Sequence, residues 1–181
     1  MSEYGDQELV KDCLNGNTEA FGELIDRYQK PIFNVALRFV NDYDEAQDIT
    51  QTTFVRAFER LAGFRSELKF FSWLYRIAVN EALNTVKRLR TKEELTEIAG
   101  GTPTPEESLC RSELETNIEE ALMELQIDYR MAIVMRHFAD LSYREMSFVL
   151  DIPVKTVKSR LFSARRLLCD ILMQRGILAY E

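Results

Sequence analysis

Val154, Val157, Leu161, Ala164 and Leu168 follow one another at intervals of 3, 4, 3 and 4 residues. That spacing places them on one face of an α-helix. The other faces carry Lys155, Thr156, Lys158, Ser159, Arg160, Ser163 and Arg166. Upstream, Ser142 and Glu145 have the spacing of a capping box, and Met146, Val149 and Leu150 supply the apolar side of a short helix. The tripeptide "DIP", residues 151–153, separates the two helices. Ile152 precedes a proline and so avoids helical backbone. Pro153, with its φ preset, opens the next helix. Two helices joined by a tight break, the second split between an apolar and a basic face, predict a helix-turn-helix. There the first helix props the second, whose outer face enters the major groove. Lysine and arginine neutralise phosphates, while Arg, Lys, Ser and Thr reach base edges. The plainer alternative is a helical hairpin whose basic face is merely solvated.

This basic stretch belongs to an acidic chain. The 181 residues carry a formal net charge of −7, yet Val154 to Arg166 holds five basic side chains and no acidic one. The length allows one ordinary domain or two small ones. With 46% apolar and 29% charged residues the composition is globular, and four prolines and seven glycines favour long helices. No apolar run nears the roughly 20 residues that span a bilayer. The N-terminal "MSEYGDQELV" is polar and acidic, unlike a signal peptide, so a cytoplasmic location is expected. Cys13, Cys110 and Cys169 are scattered, with no CxxC pair, which argues against a disulfide framework or a zinc site. His137 is the single histidine, so no site needing two imidazoles can form, and it fits a helix C-terminal turn better than a catalytic role. A P-loop, a dinucleotide-binding glycine motif and a nucleophile elbow are all absent from the sequence. Neither an enzymatic activity nor a cofactor nor a metal is expected.

Helical periodicity runs through the rest of the chain. Phe21, Leu24, Ile25 and Tyr28 form one stripe, with Asn17 as an N-cap and Glu19 in the first turn. Pro31 interrupts it, and Ile32, Val35, Ala36 and Phe39 resume. In "DYDEAQDITQTTFVRAFERL", Asp42 and Glu45 resemble a second capping box. Ala46, Ile49, Thr53, Phe54, Ala57, Phe58 and Leu61 supply its apolar side. After a break at Gly63, "FSWLYRIAVNEALNTVKRLR" offers Trp73, Leu74, Ile77, Ala78 and Leu83 to a core. Then "TKEELTEIAGGTPTP" loses all periodicity, which makes 92–103 the linker. Glu93 to Glu120 holds nine glutamates against Arg111 alone, the pattern of a solvated acidic tether. Thr104, Pro105 and Glu107 then open another helix, with Leu114, Ile118, Leu122 and Leu125 on its stripe. Met131, Val134 and Met135 face inward on the next. The expected fold is all-α: two small helical domains, 1–91 and 104–181, joined by a flexible acidic linker.

Three stretches carry a resemblance to one family. "LSYREMSFVLDIPVKTVKSRLFSARRLL", Leu141 to Leu168, resembles the pattern "LSYxEIAxxLGIPxGTVKSRLxRARxxL" of bacterial sigma factors of the extracytoplasmic-function class. "AQDITQTTFVRAF", from Ala46, is similar to "AEDLxQExFxRAF" of the same family. "FRSELKFFSWLYRIAVNEAL", from Phe64, is similar to "FRxxxxFxxWLYRIAxNxAL". The three occur in the family's order and cover nearly the whole chain outside the linker. The chain departs from the patterns at Thr52, Ser147, Asp151, Lys155 and Ser163, with Asp151 standing where a turn glycine is usual.

The resemblance implies a sigma factor: a dissociable initiation subunit that binds core RNA polymerase and directs it to promoter DNA. The first domain would bind polymerase and melt and read the −10 element; the second would read the −35 element. On Asp44–Phe58, the outward positions Glu45, Asp48, Gln51 and Arg56 would meet polymerase. Phe64, Arg65, Lys69, Phe70 and Phe71 would capture a flipped −10 base. Asn80 and Asn84 could hydrogen-bond to it, and the basic run Lys87, Arg88, Arg90 and Lys92 would follow its phosphates. Trp73 fits core packing better than a base contact. Lys155, Thr156, Lys158, Ser159 and Arg160 would face the groove at −35, with Arg165 and Arg166 on phosphates. A cognate anti-sigma factor is a further implied partner, and the acidic linker could mimic a transcript against basic polymerase walls. The reading from another class is a stand-alone helix-turn-helix regulator whose N-terminal domain senses a ligand or dimerises.

Overall fold

The computed structural model describes residues 5–96 and 113–178, and every regular element among them is helical. Eight α-helices follow in order: α1 Asp6–Leu14, α2 Glu19–Val40, α3 Tyr43–Glu59, α4 Phe70–Thr96, α5 Glu113–Glu124, α6 Ile127–His137, α7 Tyr143–Leu150 and α8 Val154–Gln174. A 3-10 turn, Leu61–Gly63, leads into the α3–α4 loop. No helix among the described residues is long and apolar enough to cross a membrane. The linker expected at 92–103 begins inside α4, which continues to Thr96. Its remainder lies outside the described residues, as does the expected cap at Thr104, Pro105 and Glu107.

Helices α2, α3 and α4 bury most of the stripes expected of them, including Leu24, Ile32, Phe39, Ala46, Ile49, Ala57, Leu74 and Ala78. Helix α1 had no counterpart in the sequence reading. It buries Leu9, Val10 and Cys13 against α2 and is tied there by Asp6, whose carboxylate accepts from Arg27 and from the Tyr28 hydroxyl. The N-cap position of α2 is Thr18, one residue after the expected Asn17, and its own side chain makes no capping bond; Asn17 supplies one, its Oδ1 accepting from the Glu19 amide at 3.2 Å. Pro31 does not interrupt that helix: α2 runs through it. A proline there forfeits one ladder bond and costs about 3 kcal/mol. The buried Leu24, Ile32, Val35 and Phe39 lie on both sides of it, and each contributes about 1.5–3 kcal/mol. Burial therefore wins.

In the second half, α6 and α8 form the centre, with Met131, Val134, Met135, Val157, Leu161 and Ala164 all buried. Leu114 is the exception to its expected stripe, at 56% exposure, while Leu122 and Leu125 are buried. The capping box at α7 is complete: the Ser142 amide donates to Glu145 Oε2 at 2.8 Å, and the Glu145 amide to Ser142 Oγ at 3.3 Å. At α3 only half of the expected box forms. Asp42 accepts from the Glu45 amide at 2.8 Å, but the Glu45 carboxylate turns instead to Arg88.

The two halves are packed on each other, α4 against α7 and α2 against α5 and α6. Arg130 is the deepest crossing. Only 8% exposed, it donates from Nη1 to the Phe39 carbonyl at 2.7 Å. Its remaining nitrogens donate to the carbonyls of Leu122, Met123 and Leu125.

Candidate nucleic-acid interface

The α7–α8 turn explains why the outer face of α8 stands clear. Asp151 ends α7 with φ 55° and ψ 42°, left-handed backbone that Asp visits at lower cost than most residues. Ser147 reinforces the turn, its hydroxyl donating to the Ile152 carbonyl at 2.6 Å. Pro153 serves as N-cap, so the helix starts at Val154, one position after the start expected at Pro153. With Val157, Leu161 and Ala164 buried, Lys155, Thr156, Lys158, Ser159, Arg165 and Arg166 are all exposed. Arg160 departs from the expected set: it is drawn to the flank, 3.3 Å from Asp128 Oδ2. Lys158 lies 5.7 Å from the Tyr143 ring centroid. Arg165 Nε donates to His137 Nε2 at 3.3 Å. Burial, then Arg165 and Arg136, hold His137 below its ordinary pKa and favour the neutral ring. The sequence reading missed Phe162, which is 72% exposed. The signal was available: it follows buried Leu161 and shares the stripe of Lys155, Ser159 and Arg166.

The second surface is built on the α3–α4 loop and the outer side of α4. Phe64, Phe70 and Trp73 form one ring cluster, with centroids 5.3–5.6 Å apart. The base-stacking role expected of Phe70 does not fit its position: it is 1% exposed, at the centre of that cluster, and presents no free face. Phe64, Phe71 and Trp73 are half-buried and reach the surface, with Phe71 stacked on Tyr28 at 5.5 Å. Arg65 is exposed. Asn80, Asn84, Lys87 and Arg88 are exposed along one side of α4. The side chains of Arg90 and Lys92 lie outside the described residues. Lys69 is not free, since its Nζ is 2.8 Å from Glu145 Oε1. Burial pushes the Glu145 carboxyl up, but hydrogen bonds from Lys69 and Ser142 outweigh it and bring it down to about 2.

The third surface is the outer side of α3. Asp48 and Gln51 point outward as expected. Glu45 and Arg56 do not: each is pulled into the α3–α4 seam, Glu45 to Arg88 at 2.5 Å and Arg56 to Glu81. Their place on the exposed side is taken by apolar groups, Val55 at 58% and Phe58 at 47% exposure. Phe58, expected in the core, is instead half-exposed and meets Phe21 edge-on at 5.1 Å.

Comparison with known proteins places two family descriptions on this architecture. "Sigma-70 region 2" matches residues 24–92, and "Sigma-70, region 4" matches 115–168. The RNA polymerase sigma-H factor of Pseudomonas aeruginosa is 36% identical over 178 residues, 91% of this chain and 92% of that protein. The ECF RNA polymerase sigma-E factor of Haemophilus influenzae is 36% identical over 176 residues, 90% of this chain and 93% of that one. Among solved structures, CnrH in complex with the cytosolic domain of CnrY superimposes with a TM-score of 0.72 at 25% identity, covering 93% of this chain and 97% of that chain. RpoE of Bartonella quintana, solved with the anti-sigma factor NepR, has a TM-score of 0.73 at 22% identity, covering 84% and 96%, a likeness of fold.

Proposed function

The chain belongs to the sigma-70 family, as a sigma factor of the extracytoplasmic-function class, and on that premise we propose how its three surfaces divide the work of initiation. The outer face of α3, with Asp48 and Gln51 around Val55 and Phe58, docks on core RNA polymerase. Apolar side chains at the centre and polar ones at the rim suit a protein partner. The Phe64–Lys69 loop and the Asn80–Arg88 side of α4 melt and hold the −10 element. Phe64, Phe71 and Trp73 offer ring faces to an extracted base, which offsets the few kcal/mol lost on unstacking. The α8 face reads the −35 element through Lys155, Thr156, Lys158 and Ser159. Phe162 gives apolar contact to a thymine methyl, and Arg165 and Arg166 hold phosphates.

The observation that carries this reading is the outer face of α8, exposed and basic on a buried apolar stripe, in one chain with the aromatic and amide surface of α4. The chain has no need of catalytic groups, because the chemistry is the polymerase's. Its net charge of −7 disfavours binding to free DNA, where contacts of this kind give a Kd of about 10⁻⁴–10⁻⁶ M. Two such weak modules become selective when a third body holds both, by effective concentration. Core polymerase is that body. A cognate anti-sigma factor belongs to the same reading and is supported by the family resemblance.

The test is run-off transcription with core polymerase. The chain is expected to direct initiation at defined starts. Lys158→Ala with Ser159→Ala should lower initiation at −35-dependent promoters by roughly tenfold or more, with association to core unchanged. Asp48→Ala with Gln51→Ala should weaken that association. Failure of the wild-type chain to direct any defined start overturns the reading.

A further inference from the structure

The α3–α4 loop assigned to −10 capture is held internally by short-range bonds. The Phe64 amide donates to the Leu61 carbonyl and the Leu68 amide to the Arg65 carbonyl, each at 3.0 Å. The second bond closes a turn whose central residues, Ser66 and Glu67, are exposed. Surface turns of this kind are the parts of a fold that order least firmly. This one is tied from outside. Gln7 Nε2 donates to the Ser66 carbonyl at 2.7 Å, across 59 residues of chain. Gln7 stands in the first turn of α1, whose Leu9, Val10 and Cys13 are buried. The neighbouring Asp6 accepts from Arg27 and from the Tyr28 hydroxyl, and Phe71 stacks on the Tyr28 ring with the planes at 26°. One turn of α1 is thus bonded to the apex of the loop and, through Tyr28, connected to a ring at its far end.

From this geometry we propose that Gln7 is a positioning residue for −10 base capture: by holding the Ser66 carbonyl it fixes the loop in the conformation that presents Phe64 and Arg65 to an extracted base. The inference rests on the −10 assignment above. It extends that assignment to a helix outside the Sigma-70 region 2 match, which begins at residue 24. Gln7 does not contact the base in this role; it acts through the backbone beside Arg65. A base leaves the stack at a cost in free energy, and a loop that had to order at the same moment would add a second cost. Ordering the loop beforehand removes the second, as preorganisation does in any binding site. Glutamine suits the task, because its amide donates to a carbonyl without bringing a negative charge near DNA phosphates. Asp6 and the buried stripe hold α1 in place, so the amide meets the carbonyl in the free chain, before DNA arrives.

The experiment uses the full chain and Gln7→Met, which keeps the length and helix propensity of glutamine but cannot donate. Gln7→Lys, which can donate to the same carbonyl, is the rescue variant. Gln29→Met, at an exposed position on α2, is the control. Backbone NMR order parameters of residues 65–68 read the loop in the free chain. Capture is read with core polymerase on a promoter at which the run-off assay finds a defined start, with 2-aminopurine placed in turn at each non-template position of its −10 element. Wild type and control are expected to show order parameters of about 0.85 in the loop, and Gln7→Met about 0.6. Gln7→Lys should restore the wild-type values. Gln7→Met is expected to capture the base about fivefold less than the control, the scale of one hydrogen bond and the ordering it maintains. Its melting temperature and its association with core should not change. Order parameters in Gln7→Met equal to the control, or a looser loop with capture unchanged, overturn the proposal. A fall in capture together with lost order throughout α1–α4 assigns Gln7 to stability alone and overturns it too. The order parameters are measured without DNA or polymerase, so failure here and failure of the run-off assay are distinct.

Discussion

Single residues carry more of this turn's chemistry than their types announce. Asp151 and Ser147 both depart from the family pattern, and the structure accounts for each locally. Asp151 takes the left-handed position that glycine would fill without strain, and Ser147 compensates by tying its hydroxyl to the Ile152 carbonyl. Asp151→Ala keeps the strain and loses the polar side chain, so it should cost about 1 kcal/mol in urea unfolding, while Asp151→Gly should not destabilise. His137 makes a prediction in pH. Its folded pKa lies below the ordinary 6.5, chiefly through burial, so the unfolded chain binds more protons below that value. Stability is then complete above pH 6.5 and falls as pH drops through it. His137→Gln should flatten that part of a thermal-melt pH profile. Phe70 shows the limit of residue type as a guide. An aromatic in the right motif was expected to stack on a base, and 1% exposure puts it in the core, because only the folded cluster decides which of several neighbouring rings is outermost.

At the scale of elements, termini and periodicity were legible and helix continuity was not. The Ser142–Glu145 box, the Asn17 capping bond and the buried stripes of α3, α6 and α8 all follow from residues within one or two turns of each other. Ser142→Ala should therefore destabilise by about 1 kcal/mol in denaturant unfolding, through loss of a cap. The cases that misled are those where packing from elsewhere overrides a local signal. Pro31 reads as a break, yet apolar burial on both sides of it carries α2 through. Glu45 has capping spacing, yet Arg88 on α4 outbids the backbone for its carboxylate. Helix α1 is short, and its burial depends on α2 and on the Asp6 tie to Arg27 and Tyr28.

On the whole-molecule scale, the packing of the two halves yields a prediction in salt and pH. Glu145, raised by burial but brought down from 4.5 to about 2 by Lys69 of the first half and by Ser142 of its own cap, stabilises both the packing of the halves and the cap fully above 4.5 and loses that contribution as pH falls toward 2. Raising salt from 50 to 500 mM should expand the chain in scattering, since screening reaches partly exposed pairs. Lowering pH from 8 to 5 should leave the Glu145 contact unchanged. The sequence by itself determined that the chain is helical, that it ends in a helix-turn-helix with a basic outer face, and that three family stretches stand in order. Those properties are encoded within a few turns, where spacing translates directly into geometry. Only the tertiary structure decided which polar groups remain available. Arg56 meets Glu81 across 25 residues, Arg88 meets Glu45 across 43, Ser72 meets Glu145 across 73 and Arg130 meets Phe39 across 91. A charge can be placed on a helix face from its neighbours in sequence, but whether that face meets water or an opposite charge depends on segments that only folding brings together.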